Sequence, residues 1–207
     1  HMNGKTIHSW AHIGIKDQLS LSDLNAIFAR KEFRLSIAEA KVLIIDEVSM
    51  LHHFRLDMVN MVLQKMHGNK KPFGGIQVVL CGDLFQLPPV SRGTRAEYIT
   101  SAQVWNDMDI HICYLTEQYR QDDDKLLALL NEMRSGEVSE ASIEYLLARK
   151  NIVPNSDIIP TKLYTHNADV DAINDQQLAK LHTKEKTYKM TSKGDRGVGT
   201  ALKKSCL

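Results

Sequence analysis

The strongest constraint on this chain is a pair of short apolar runs that each break off into acid or amide. They are KVLIIDEVSM at residues 41–50 and GGIQVVLCGDLFQLPPV at residues 74–90. Runs of about four to six Val, Leu and Ile are too short for a helix and suit a parallel strand, expected here to be buried on both faces. Parallel sheets gather their chemistry at the carboxyl ends of their strands, where side chains from several strands converge. Asp46 and Glu47 follow the first run, and Asp83 and Gln86 follow the second, so the two sets are predicted to lie beside one another.

Those residue types fit one reaction. Hydrolysis of a nucleoside triphosphate takes a carboxylate that holds Mg²⁺, a group that orients or deprotonates the attacking water, and a polar sensor near the γ-phosphate. Asp46, Glu47 and Gln86 supply these in order. An Asp-Glu pair after an apolar run is common at strand ends for structural reasons alone, and it is the second run that tips the balance. Pro88 and Pro89 fix the backbone and end strand pairing, which would hold Gln86 steady at the edge of the site.

The remaining chain alternates helix and strand signals, predicting an α/β fold with a parallel sheet. Residues 14–40 are helical in composition, with Leu21, Leu24, Ile27 and Phe28 apolar and Ser20 or Ser22 as cap. A helix is predicted over 51–67, with Leu51, Phe54, Met58, Val62 and Met66 on one stripe and Gly68 ending it. The methionines around it are expected to fill core gaps. A short helix over 103–107 includes Trp105 as a packing anchor. DIHICYLTEQYR (109–120) and TKLYT (161–165) are predicted strands. Between them lies a helical region with Leu126, Leu127, Leu130 and Met133 on one face and a break at Gly136, followed by a linker over 151–160.

At this point the sequence resembles the RecD/PIF-type DNA helicases of superfamily one, and the PIF-type branch most. The matching segments are TIHSW (6–10), DEVSM (46–50), FGGIQVVLCGDLFQLPPV (73–90) and LTEQYRQ (115–121). Weaker similarity continues through LLNEMRSGEVS and TKLYTHNADVDAIN. The resemblance implies a RecA-like P-loop NTPase fold, a parallel sheet flanked by helices and truncated at both ends. It implies a partial first lobe over 3–118 with a small accessory element at 14–40, and the start of a second lobe over 119–207. The implied activity is an ATP-dependent 5′-to-3′ DNA helicase, with ATP and Mg²⁺ as cofactors and single-stranded DNA and duplex junctions as partners. Asp46, Glu47, Gln86 and Arg120 would be catalytic, Arg120 as a guanidinium neutralising charge on the transferred phosphoryl group. Asp46, Asp83, Gln86 and Arg120 would contact the nucleotide, and Asp46 and Glu47 the metal. Thr6, His8 and Ser9, with Thr165, His166 and Asn167, would contact the DNA backbone; the same residue types also serve as helix caps.

One family element has no counterpart. Gly4-Lys5-Thr6 imitates the end of a phosphate-cradling loop, but no Gly stands five residues upstream and no strand precedes it. His1 and Met2 look like a cloning remnant. The chain is therefore expected to begin after the true loop and to stop before the last helicase motifs, and to be inactive by itself. The alternatives are a nucleic-acid-binding or interaction module without catalysis, the RecD-like subunit of an exonuclease complex, or the helicase part of a conjugative relaxase.

Composition narrows the class further. With 43% hydrophobic residues the chain can bury a core, and a net charge of +1 means nucleic-acid binding must rest on local patches. No run approaches a membrane span. A soluble intracellular protein is expected, with no membrane partner. Cys81, Cys113 and Cys206 are widely spaced and unpaired, the first two expected as small hydrophobes in strands. His52 and His53, adjacent in sequence, cannot form a two-ligand metal face on a helix and are expected to be solvated.

Overall fold

The computed structural model describes residues 4–91, 97–152, 161–164, 166–184, 186–191, 193–194 and 200, with the side chains of residues 32, 36, 167 and 168 excepted. The chain divides into two compact units, 1–146 and 147–207.

In the first unit the order is α1 (Ile7–Trp10), α2 (Leu21–Phe28), α3 (Lys31–Ala38), β1 (Val42–Ile45), α4 (His53–His67), β2 (Gln77–Leu80), α5 (Gln103–Asp107), α6 (Asp124–Ser135) and α7 (Glu140–Leu147), the last residue of which lies past the boundary. β1 and β2 pair in parallel, Val42 opposite Gln77 and Ile45 opposite Leu80. Parallel neighbours need a crossover, and α4 supplies it.

α4 is also the centre of the core. Leu56, Val59, Val62 and Leu63 are fully buried, against Phe33 and Ile37 of α3, Leu43 and Ile45 of β1, Phe73, Ile99 and Val104. Each such side chain contributes about 1.5–3 kcal/mol of transfer free energy. Polar groups on α4 fix its neighbours. Asp57 accepts the backbone N–H groups of Gln103 and Val104 at 3.0 and 2.9 Å, capping α5, and Asn60 accepts that of Phe73 at 2.7 Å. Gly68 ends α4 in the left-handed conformation, as expected. Ser20 caps α2 through a capping box with Asp23.

Several expectations are corrected. β1 is buried on one face only: Leu43 and Ile45 point inward, while Ile44 is 60% exposed. Residues 109–120 and 161–164 form no strand, and Thr165 lies outside the described residues. Leu115 is 97% exposed and Ile112 and Tyr114 are also out in solvent, because an extended segment becomes a strand only when a ladder partner takes its N–H and C=O groups. Cys81 and Cys113 are exposed free thiols and not buried hydrophobes. Met58 is buried and Met66 packs on the core, but Met50 and Met61 face outward, as does Leu21 of α2. On α6 only Leu129 is fully buried, with Leu130 and Met133 exposed. His52 and His53 are engaged as well as wet: His52 stacks on Phe54, and His53 Nε2 lies 3.0 Å from Glu97.

The second unit contains α8 (Asn167–Leu178), whose N-cap residue is His166. Among the described residues no helix is long and apolar enough to cross a membrane.

Candidate functional site

The site begins where the two strands end. The Cys81 N–H donates to the Ile45 carbonyl at 2.8 Å, and the Val48 N–H returns to the Cys81 carbonyl at 3.1 Å. Between these bonds Asp46 and Glu47 are forced outward as a tight reversal. Glu47 sits at φ 54°, ψ 44°, the left-handed region, before a single 3₁₀ turn over Val48–Met50. A non-glycine residue there costs about 1–3 kcal/mol, strain that concentrates at functional positions. Asp46 Oδ1 accepts the Glu47 N–H at 2.9 Å, which stabilises the reversal. Both carboxylates are exposed.

Asp46 and Glu47 line an open cavity of about 870 Å³. Its other walls are the uncovered face of β1, with Val42 and Ile44, and the start of the chain, with Lys5, Thr6, His8 and Ser9. The two candidate carboxylates and the three candidate strand-contacting residues of the first unit therefore share one space. The Thr6 hydroxyl accepts the Ser9 N–H at 3.3 Å and caps α1, as threonine at a helix start does. His8 is half-buried. Burial, and then the charge of Arg55, hold its imidazole below the ordinary histidine range.

Asp83 and Gln86 follow β2 at the same sheet end but do not line this cavity. Asp83 accepts the Phe85 N–H at 3.0 Å and the Gln86 amide at 3.4 Å, and pairs with Arg134 of α6. The Arg134 hydrogen bond is the main reason its carboxyl lies below the usual range. One amide N–H of Gln86 is turned to Asp83, and the other remains as a donor. Arg120 is exposed and also lies outside the cavity lining. Two residues before it, Gln118 donates to Asn131 of α6 at 3.2 Å. His166 is exposed in the second unit; Thr165 and the Asn167 side chain lie outside the described residues.

Among the described residues no three His, Cys, Asp or Glu side chains gather into a metal-holding group. Asp46 keeps its second carboxylate oxygen available. One or two carboxylates plus substrate phosphates and waters is how Mg²⁺ is held, so this donor set fits that ion.

Three participants were not among the site residues expected from the sequence. Lys5 brings a cation to the cavity. Arg134 ties α6 to Asp83. Arg55, 8% exposed, donates to the Ile15 carbonyl at 3.1 Å, to the Gly14 and Lys16 carbonyls, and to Asp17 at 3.0 Å, clamping the loop after α1 onto α4. A signal for Arg55 was present, since Leu51, Arg55, Met58 and Val62 fall at helical spacing on the apolar stripe.

A model of the PIF1-like helicase family matches residues 1–143. The ATP-dependent DNA helicase Pif1 of Psychrobacter sp. (strain PRwf-1) is 46% identical over 99% of this chain, which covers 32% of that protein. The mouse ATP-dependent DNA helicase PIF1 is 35% identical over 87% of the chain and 28% of its own length. Among solved structures, the Pif1 helicase of Candida albicans matches with TM-score 0.75 and 30% identity over 87% of this chain and 41% of that one. A Bacteroides Pif1 helicase in complex with ADP-AlF3 and ssDNA matches with TM-score 0.73 and 28% identity over 87% and 44%. The chain thus spans about a third of the curated relatives and less than half of these solved chains. The RecA-like α/β fold and the PIF-type branch expected from the sequence agree with these matches.

Proposed function

The chain belongs to the PIF1-like helicase family, and from that footing we propose that it is part of an ATP-dependent DNA helicase that couples hydrolysis to 5′-to-3′ movement on single-stranded DNA and to duplex unwinding. The observation that carries this is the cavity in which Asp46 and Glu47 at the end of β1 meet Thr6, His8 and Ser9. Candidate hydrolytic carboxylates and a candidate strand-contacting segment are thereby close together in the first unit.

Asp46 would hold Mg²⁺, which when bound supplies charge neutralisation to the phosphates of ATP. Glu47, aimed by its left-handed backbone, would orient and deprotonate the attacking water. Gln86 would sense the γ-phosphate by donating its second amide N–H, the first being turned to Asp83. Arg120 would neutralise charge on the transferred phosphoryl group, with a first lobe over 3–118 and a second over 119–207. Hydroxyls and amides at Thr6, Ser9, Thr165 and Asn167, with His8 and His166, suit phosphate contacts made and broken at each step.

The test is ATP turnover and fork unwinding by a protein of the relatives' full length that carries this sequence, with the 207-residue chain assayed alongside. DNA-stimulated hydrolysis is expected from the first, and the second measures how much of it residues 1–207 sustain by themselves. A full-length protein with no DNA-stimulated turnover would overturn the proposal.

A further inference from the structure

Helix α6 carries two polar residues three positions apart, Asn131 and Arg134, and that spacing puts them on one face. Asn131 Oδ1 accepts from Gln118, two residues before Arg120. Arg134 donates to Asp83, three residues before Gln86, and its guanidinium carbon lies 5.0 Å from the centre of the Phe85 ring. Phe85 is 78% exposed, an aromatic left out of the core with a cation seated on it. One helical turn therefore grips both the segment bearing the candidate arginine and the loop bearing the candidate glutamine.

The grip is firm at both ends. Asp123 caps α6 by accepting from Lys125 and Leu126 at 3.0 and 3.1 Å, and Gly136 closes it in the left-handed conformation. Glu132, between the two gripping residues, accepts from the Ser139 N–H and hydroxyl at 2.8 and 3.0 Å, fixing the start of α7. On the other side, Asp83 directs its two oxygens at the Phe85 N–H, the Gln86 amide and Arg134. An Asp so engaged orients Gln86 and does not present a free oxygen to nucleotide.

We infer that α6 is a strut in which Asn131 and Arg134 are positioning residues, holding the Arg120 segment and the Gln86 loop in one frame so that both address the same phosphate. This rests on the roles given above to Arg120 and Gln86. It also moves Asp83 from nucleotide contact to the anchoring of Gln86. Because exposed ion pairs add little to stability, loss of the strut should appear in turnover before it appears in unfolding.

The experiment uses the full-length helicase carrying this sequence, with Arg134→Met, Arg134→Lys, Asp83→Asn and the double variant Asp83→Asn/Arg134→Met. Arg134→Met is expected to lower DNA-stimulated kcat about tenfold, as misplacement of a reacting group does, with the KM for ATP within about twofold and Tm unchanged. Arg134→Lys should recover part of the loss, and the double variant should be no worse than the poorer single one. Unchanged kcat in Arg134→Met, additive losses in the double variant, or a kcat that falls only in step with Tm would each overturn the strut. Glu47→Gln run in parallel separates the two claims: if it abolishes turnover while Arg134→Met does not, only the strut fails, and if it too leaves turnover intact, the hydrolytic assignment fails.

Discussion

The backbone N–H of Val48 donates to the carbonyl of Cys81 across 3.1 Å, stitching the turn that carries Glu47 to the loop that carries Asp83. This bond extends the β1–β2 ladder past its last paired residues and lets the chain reverse without losing contact with its neighbour. Position 82 has no room for a side chain beside it: a Cβ at Gly82 would lie 2.9 Å from both the nitrogen and a methyl carbon of Val48.

Gly82→Ala should therefore pry the two loops apart. The obstruction is backbone as well as side chain, so it cannot swing away, and a destabilisation of about 1–3 kcal/mol is expected. Thermal unfolding of the 207-residue chain measures it. A Tm equal to that of the parent would mean that the two strand ends are free to separate.

Arg55 offers a second test. Its guanidinium satisfies three backbone carbonyls and Asp17 in a part-buried setting, so Arg55→Met should cost about 1–3 kcal/mol through the groups left unpaired. Hydrogen exchange should accelerate over residues 7–17. The same substitution removes a charge that helps keep His8 deprotonated, so the His8 titration followed by NMR should move upward, toward the ordinary value of 6.5. Unchanged exchange over residues 7–17 would contradict the clamp, and a stationary His8 titration would contradict the reach of the Arg55 charge.

Acid should loosen α2. Asp23 is depressed to about 2, first by the Lys16 hydrogen bond and then by the Ser20 backbone and hydroxyl. Its folded value lies below the ordinary 3.8, so its ionised form stabilises the fold. That contribution is complete above 3.8 and disappears as pH falls through about 2. Asp23→Asn should abolish this part of the acid limb in a pH series of unfolding midpoints. An unchanged acid limb would show that the capping box is not coupled to folding.

Much of this was legible in the residues, and the rest was hidden for physical reasons. The runs around residues 42–45 and 77–80 announced a parallel pair because apolarity, shortness and polar endings all pointed the same way. Gly68 and Gly136 announced helix ends, since both take left-handed backbone. The segment around Ile112–Leu115 misled because strand composition is a local property while a ladder needs a partner. One-sided burial of β1 was hidden for the same reason: Val42 and Ile44 are apolar whether or not anything covers them. Arg134 was unreadable because its significance lies in Asp83 and Phe85, some fifty positions away.

Glu47→Gln in the full-length protein tests the central claim most directly. The substitution keeps the size and polarity of the side chain and removes only its capacity to take a proton. DNA-stimulated ATP turnover is expected to fall by about 10²–10⁴-fold, the range for a lost general base, while nucleotide affinity is retained. Turnover at the parental rate would contradict the assignment of the reversal after β1 as the hydrolytic centre.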